Sequence, residues 1–348
     1  MTLGDVRPSS ANFRRSQRKR QRDRHNAHLN AVAGTIFVCT RNMDNAAKLQ
    51  KQSSQDQGVI LITGADGHIG RRLCPMLRGA SWSIAAVDLS NDPKQNIDAC
   101  DLRSESQVSS LFERYKISAV IHLAGILPTA FQSDPLTGAE VNLTGSLRLI
   151  RHSIRAGVNR FVFASSMSVY GSNTSNRALN ERDLSSPDDV YGAAKRAVEI
   201  IGESLSTAES IEFIALRIAR VIGPGIRKTS SPWRSQIFET ASDPGPVHLP
   251  FAPDALLSLV HVVDVARMIS LLVEAERVNH CVYNTPVEVW EARRLKELIE
   301  SMRRIPVQLD ETRGSNGGPI CDGSRFAQEF GFHPLRLRDH LLAVGTHD

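Results

Sequence analysis

The segment Gly58-Val59-Ile60-Leu61-Ile62-Thr63-Gly64-Ala65-Asp66-Gly67-His68-Ile69-Gly70 sets a continuous β-branched run directly against three glycines spaced three residues apart. Val59 to Thr63 shows no polar alternation, as expected of a strand buried on both faces of a parallel sheet. The glycines let the backbone turn sharply and approach a pyrophosphate. Free amides and the dipole of a helix predicted over residues 68–78 favour negative charge at the same place. The spacing is Gly-x-x-Gly-x-x-Gly, not Gly-x-Gly-x-x-Gly, so the dinucleotide fingerprint is met in its physical logic alone. The candidate cradle is Gly64, Asp66, Gly67, His68, Ile69 and Gly70.

Asp88 ends a second apolar run, Ile84-Ala85-Ala86-Val87-Asp88, 18 residues beyond Gly70. That is near the offset of roughly 20 residues at which an acid accepts hydrogen bonds from the adenosine ribose hydroxyls. A carboxylate there repels a 2′-phosphate, so NAD is favoured over NADP. Asp101 and Leu102, after a third short strand, are placed at the adenine edge. Further apolar runs at 119–123, 161–164 and 213–216 alternate with helical spacing over 136–156 and 190–205. Strand then helix, repeated, predicts right-handed crossovers in a doubly wound α/β Rossmann sheet over 58–217. From 218 to 348 the rhythm loosens into Pro- and Gly-rich stretches with helices near 262–276 and 292–302. This reads as a smaller, irregular substrate-binding region with some chain returning to the sheet.

The formal net charge of +5 over 348 residues is unevenly spread. Residues 1–57 hold 11 basic and 4 acidic side chains, and the remainder holds 31 basic and 33 acidic, so the globular part is nearly neutral. The run Arg14-Arg15-Ser16-Gln17-Arg18-Lys19-Arg20-Gln21-Arg22-Asp23-Arg24 cannot bury a face without burying charge, and the segment reads as disordered. A nucleic-acid arm, a localisation or transit signal, a solvated tail and a stretch ahead of the true translation start are all open for it. No apolar run approaches the roughly 20 residues needed to cross a bilayer. Five cysteines without a Cys-x-x-Cys pair suggest neither a disulfide framework nor a structural zinc site, and a reducing, cytoplasmic setting is expected.

Tyr191-Gly192-Ala193-Ala194-Lys195 opens a predicted helix, and the i,i+4 offset puts phenol and ammonium on one face. A positive charge beside a tyrosine favours the phenolate and brings its pKa down from about 10 toward use as an acid/base. Upstream, Phe161-Val162-Phe163-Ala164-Ser165-Ser166 is a buried strand emptying into a serine-rich loop, at the end of the sheet where α/β ligands bind.

Five motifs in order, Thr63-Gly64-x-x-Gly67-x-x-Gly70, Leu123-Ala124-Gly125, Ser166-x-x-Val169-Tyr170-Gly171, Tyr191-x-x-x-Lys195 and Leu216-Arg217-x-x-x-Val221-Ile222-Gly223-Pro224-Gly225, resemble the extended short-chain dehydrogenase/reductases, the NAD-dependent epimerase/dehydratase family. The resemblance runs from about Gly58 to the C-terminus. It implies a tightly held NAD(P), Tyr191 as acid/base, Lys195 on the nicotinamide ribose and beside the tyrosine, and Ser166 on the substrate oxygen. It also implies that Leu123, Ala124, Gly125 and Asn142 line the cofactor site, and that the His261 to Ala266 segment is structural. Sugar-nucleotide 4,6-dehydratases carry Asp-Glu after the catalytic hydroxyl residue; Met167 and Ser168 stand here, which disfavours that reaction. Nucleotide-sugar epimerases carry asparagine where this chain has Arg220, which is suited to a substrate carboxylate or phosphate. The expected activity is hydride transfer at a secondary alcohol or ketone of a sugar, sugar acid or nucleotide-sugar. A nucleotide-sugar 4-epimerase and a non-catalytic dinucleotide-sensing or nucleic-acid-binding protein are the alternatives. A homodimer through the 136–156 and 190–205 helices fits the family, and neither a metal nor a membrane partner is expected.

Overall fold

The computed structural model describes residues 58–172, 177–226, 231–239, 245–314 and 316–343; the readings made of segment 1–57 lie outside the described residues. The strands are β1 (Val59–Thr63), β2 (Ile84–Asp88), β3 (Ile97–Ala99), β4 (Ile117–His122), β5 (Arg160–Ser166), β6 (Glu212–Ile218), β7 (Arg220–Ile222), β8 (Val247–Leu249), β9 (Leu256–His261), β10 (Val282–Asn284), β11 (Glu288–Glu291) and β12 (Val307–Leu309). The helices are α1 (Gly70–Gly79), α2 (Glu105–Arg114), α3 (Pro128–Ser133), α4 (Pro135–Ala139), α5 (Ser146–Arg155), α6 (Val190–Ala208), α7 (Trp233–Gln236), α8 (Val262–Glu274), α9 (Ala292–Arg303), α10 (Ser324–Phe330) and α11 (Leu337–Ala343).

Seven strands form one parallel sheet in the order β10-β6-β5-β4-β1-β2-β3. The alternation of side chains along β1 shows why its run had to be wholly apolar. Ile60 and Ile62 join the core that includes Leu73 and Leu77 of α1 and Val265, Ile269 and Leu272 of α8. Leu61 joins the opposite core, with Val108 of α2, Leu149 of α5 and Val198 of α6. The chain builds outward from β1 to β3 and then reverses to β4. This leaves a crevice at the carboxyl ends of β1 and β4, where open α/β sheets take ligands.

Beyond Arg217 the chain is more regular than its proline and glycine content suggested. It forms a three-stranded sheet, β11-β9-β7, and a two-stranded sheet, β12-β8, over a separate core that includes Trp233, Leu257 and Leu295. Parts of it return to the large sheet: β10 pairs with β6, and α8 packs on one face of it. Arg160 of β5 fastens the end of α8, donating to the carbonyls of Leu272, Val273 and Ala275 at 2.9, 3.2 and 2.5 Å. Those are orphan carbonyls of a helix terminus, which a cation complements. The expected continuous helix over 136–156 is instead α4, a π-helical turn over Glu140–Gly145, and α5. Apolar period alone does not register the extra residue that a π turn inserts, and such turns gather at functional sites.

One buried ion pair sets the position of α6. Glu199, wholly buried, accepts from Nε and Nη2 of Arg217 at 2.9 and 2.8 Å, from Arg196 Nη1 at 2.9 Å and from Ser165 Oγ at 2.5 Å. Removing one member of such a pair strands the other charge without solvent. Glu199→Ala is therefore expected to lower the unfolding free energy in urea titration by about 3–5 kcal/mol, and the double change Glu199→Leu with Arg217→Met to recover most of that loss.

Candidate active site

The turn after β1 is held open by backbone contacts that no side chain tolerates. Gly64 has φ +72°, and a Cβ there would lie 2.5 Å from the Ala124 nitrogen; a Cβ on Gly70 would lie 2.5 Å from the carbonyl oxygens of Gly64 and Ala65. The glycines therefore serve close packing of this turn against the Leu123-Ala124 loop and against the start of α1. That helix begins at Gly70, two residues later than its apolar period suggested, because His68 and Ile69 belong to the turn. The amides of His68, Ile69 and Gly70 bond to no described backbone or side-chain group and stand at the N-terminal end of α1. Such a cradle fits a dinucleotide pyrophosphate. His68 itself is held neutral, its pKa brought down to about 4 by burial and by Arg72, and its Nε2 has no partner.

Asp88, at the end of β2, accepts from the Asp66 amide through Oδ2 (2.9 Å) and from the Leu89 amide through Oδ1 (2.7 Å). Its carboxylate is thereby fixed at the crevice with lone pairs left over. Asp66 is itself paired with Arg71. Asp101, expected at the adenine edge, forks its carboxylate onto Arg103, with the shortest contact 2.7 Å, which holds the acid below its ordinary pKa. Leu102 is buried, and its carbonyl accepts from Arg148 at 2.5 Å.

The π turn explains Asn142. Its side chain is buried, Oδ1 accepting from the Ile126 amide at 2.7 Å and Nδ2 donating to the Ile126 carbonyl at 2.8 Å. Asn142 thus shapes the loop Leu123 to Ile126, which was expected to line the cofactor site with it. Gly125 keeps the loop close to both partners: a Cβ there would meet Asn142 Oδ1 at 3.3 Å and Lys195 Nζ at 3.6 Å. A relay that the sequence reading missed runs beneath. Thr63 Oγ1 and His122 Nδ1 are 2.7 Å apart, His122 Nε2 and Ser146 Oγ 2.8 Å, and Ser146 Oγ donates to the Asn142 carbonyl at 2.7 Å. Ser146 has one proton and gives it to that carbonyl. His122 therefore carries its proton on Nε2 and accepts from Thr63 on Nδ1. Burial and nearby Lys195 bring the His122 pKa down to about 3, so the relay is neutral.

On α6, Tyr191, Lys195 and Glu199 form a stripe at i, i+4 and i+8. Asp189 caps the helix, accepting from the Gly192 amide at 2.6 Å. A Cβ on Gly192 would lie 2.4 Å from the Ser168 carbonyl, so glycine lets the helix start press against the serine loop. Ser166 Oγ donates to Ser168 Oγ at 3.2 Å and accepts from the Ser168 amide at 3.1 Å. Lys195 donates to the Ala164 carbonyl at 2.7 Å and lies 4.6 Å from the Phe163 ring centroid and 5.7 Å from that of Tyr191. The structure so brings the three side chains together, but it corrects the expected electrostatics. Burial pushes the Tyr191 phenol up to about 12, while the Ser166 hydroxyl works the other way. The lysine yields instead: burial brings it down to about 8, against the pull of Glu199. Both ions lose hydration, and desolvation outweighs their mutual influence. Beside Tyr191 opens a cavity of about 510 Å³ walled by Pro128, Thr129, Gln132 and Ser133 on one side and by Asp189 to Tyr191 on the other.

Arg220 lies at the start of β7, donating to the Gly317 carbonyl at 2.9 Å, and Arg234, which the sequence reading passed over, acts electrostatically on Tyr191. Only tertiary structure reveals Arg234. No group of His, Cys, Asp and Glu suited to a metal occurs among the described residues, and no described helix is long and apolar enough to cross a membrane.

Comparison with known proteins places this geometry. The model of the NAD dependent epimerase/dehydratase family matches residues 60–285. UDP-glucose 4-epimerase of Erwinia amylovora is 32% identical over 180 residues, 47% of this chain and 53% of the relative, so the chain spans about half the length of that relative. Among solved structures, UDP-glucose 4-epimerase of Thermus thermophilus in complex with NAD superposes with TM-score 0.73 at 22% identity, covering 82% of this chain and 98% of the other. MoeE5 in complex with UDP-glucuronic acid and NAD gives TM-score 0.71 at 26% identity, with 82% and 97% covered.

The buried ammonium has a measurable consequence for stability. Below pH 8 the folded protein carries a charged Lys195 at a desolvation cost absent from the unfolded chain, whose lysine titrates at 10.5. Between pH 8 and 10.5 the folded state sheds this proton first, so the cost fades as pH rises. Lys195→Met is expected to raise the melting temperature relative to wild type at pH 7, with the gain shrinking toward pH 10.5 in melts taken across that range.

Proposed function

The chain belongs to the NAD-dependent epimerase/dehydratase family, and on that footing we propose that it is an NAD-dependent oxidoreductase acting at a secondary alcohol or ketone carbon of a sugar, sugar acid or nucleotide-sugar. One observation carries the reading: Tyr191, Lys195 and Ser166 meet at the same end of the sheet as the glycine turn and Asp88. The amides of His68, Ile69 and Gly70 would hold the pyrophosphate and Asp88 the adenosine ribose, where its charge opposes a 2′-phosphate. The nicotinamide cofactor, when bound, supplies the hydride chemistry.

The protein supplies the proton and the geometry. With its pKa at about 12, the Tyr191 phenol is protonated at neutral pH and is set to donate to an oxygen on which negative charge develops. Ser166, held by the Ser168 amide, would turn its one proton from Ser168 Oγ to that oxygen as the second hydrogen bond. Lys195, tethered to the Ala164 carbonyl, keeps a cation beneath the phenol and assists its ionisation in the oxidative direction. A 4-epimerase, in which the ketone stays bound and is reduced on its other face, is the second reading, supported by what the Erwinia amylovora relative is. Two further parts of the proposal are a reducing, cytoplasmic setting, and a homodimer through the face that exposes Leu136 and Ile200, 81% and 51% accessible.

Tyr191→Phe is expected to cut kcat by about 10²–10⁴ while NAD binds as before, followed by steady-state turnover and calorimetry; wild-type-like turnover would remove Tyr191 from the chemistry. Asp88→Ala is expected to weaken NAD by roughly tenfold and narrow its advantage over NADP, for the loss of a charged hydrogen-bond acceptor. An unchanged NAD-to-NADP ratio would count against the ribose assignment.

A further inference from the structure

Arg217 and Arg220 stand three residues apart and meet opposite fates. The Nε and Nη2 edge of Arg217 is filled by the two oxygens of Glu199 at 2.9 and 2.8 Å, the planar fork that guanidinium and carboxylate share. Arg220 spends Nη1 on the Gly317 carbonyl and lays its guanidinium over Phe251, 4.9 Å from the ring centroid. Its Nε is buried and has no partner, and no carboxylate is within ion-pair distance of it among the described residues. Arg234 on α7 repeats the pattern, its Nε buried and unpartnered. The indole Nε1 of neighbouring Trp233, whose ring meets Phe251 edge-on at 5.9 Å, is a third such donor.

Two of these donors lie toward the reacting end of the site: Arg234 is close enough to Tyr191 to act on its charge, and Arg220 close enough to act with Arg234. A Cβ placed on Gly318 would lie 3.7 Å from Arg220 Nη2 and 3.4 Å from the Met167 methyl, so the arginine comes near the side chain of the residue that follows Ser166. Two half-buried cations whose Nε atoms are out of contact with water and that have no anion beside them are unfavourable to the folded chain, more so because they repel each other. Burial and Arg234 bring the Arg220 pKa down to about 9, and Arg234 is lowered as well. Donors without acceptors call for a ligand that brings negatively charged oxygens.

We propose that Arg220, through its Nε and Nη2 edge and with Arg234 as a second positive charge, binds a carboxylate of the substrate, which makes sugar acids the substrate class of this enzyme. This rests on the oxidoreductase reading and deepens it. The Glu199 fork shows the geometry that such a carboxylate would copy on Arg220.

The test uses the full-length protein with NAD or NADH and two matched pairs, galacturonate against galactose and UDP-glucuronic acid against UDP-glucose, measured by turnover and by calorimetric binding to the cofactor-loaded enzyme. The acid of each pair is expected to bind and react in preference to its neutral partner. In Arg220→Gln that preference is expected to fall by about 10- to 100-fold, the loss of a charge-assisted pair, mainly through KM. Arg220→Lys should restore part of it by charge without the fork. Melting temperature is expected to hold or rise, since a cation without an anion is removed, and NAD affinity to stay at the wild-type value; a merely structural arginine would instead lower the melting temperature. Equal use of acid and neutral sugars overturns the proposal, as does failure of the acids to bind. An Arg220→Gln defect of the same size for UDP-glucose and UDP-glucuronic acid also overturns it, since the anion would then be the diphosphate. If NAD itself does not bind, or Tyr191→Phe is fully active, the oxidoreductase reading fails first; Tyr191-dependent turnover without acid preference removes only the clamp.

Discussion

The pairing of Glu199 with Arg217 holds the site in register. Its members come from α6 and β6, and Ser165 of β5 joins through its hydroxyl. A helix lying on a sheet can slide or rotate by fractions of a turn at small loss of apolar contact, since burial is not directional. A forked ion pair in a dry interior does not allow this. Glu199 lies on the same helical stripe as Tyr191 and Lys195, and Ser165 is one residue from Ser166. The geometry that fixes the carboxylate therefore fixes the phenol against the serine. Arg217 also donates to the Tyr170 hydroxyl at 2.9 Å, which carries the constraint into the serine loop.

The second constraint is close backbone approach around the crevice. Gly64 and Gly70 allow the turn after β1 to press on the loop after β4 and on the start of α1. That loop is in turn held by Asn142 from a π turn, and the π turn by Ser146, His122 and Thr63. The cradle is thus backed by a neutral, one-directional chain of hydrogen bonds leading from the last residue of β1 to the helix behind it. A neutral chain suits this place, because an added charge would compete with Lys195 for what little polar solvation the interior offers.

Periodicity and turn chemistry made the sheet, the glycine turn and the Tyr191 to Lys195 spacing legible, since each is a local property of the chain. Val59 to Thr63 had to be a two-sided strand, and i,i+4 on a helix is geometry that no tertiary contact alters. What stayed hidden depends on partners distant in sequence. Nothing near Glu199 marks it as buried, and Arg217 lies 18 residues further on. The π turn adds one residue to a pattern whose apolar period still reads as helix. That Asp101 pairs with Arg103, two residues away, is likewise not marked by its sequence neighbourhood. The phenol's direction of shift was misjudged because spacing gives the sign of a neighbour's charge but not the burial that both share.

Arg220 shows how one frame serves a changed chemistry. β7 leaves β6 after a single residue, so whatever stands at this position is carried from the large sheet to the mouth of the smaller region. The backbone there is constrained by pairing with β9, and the side chain is free to vary without disturbing the Glu199 pair. A positive charge at that spot is held by two modest interactions, one carbonyl and one aromatic face, while its buried Nε–H stays unpaired. Neither of them neutralises it. The frame keeps the phenol, lysine and serine in place, and on the carboxylate proposal the residue at the seam would set which charge the substrate brings.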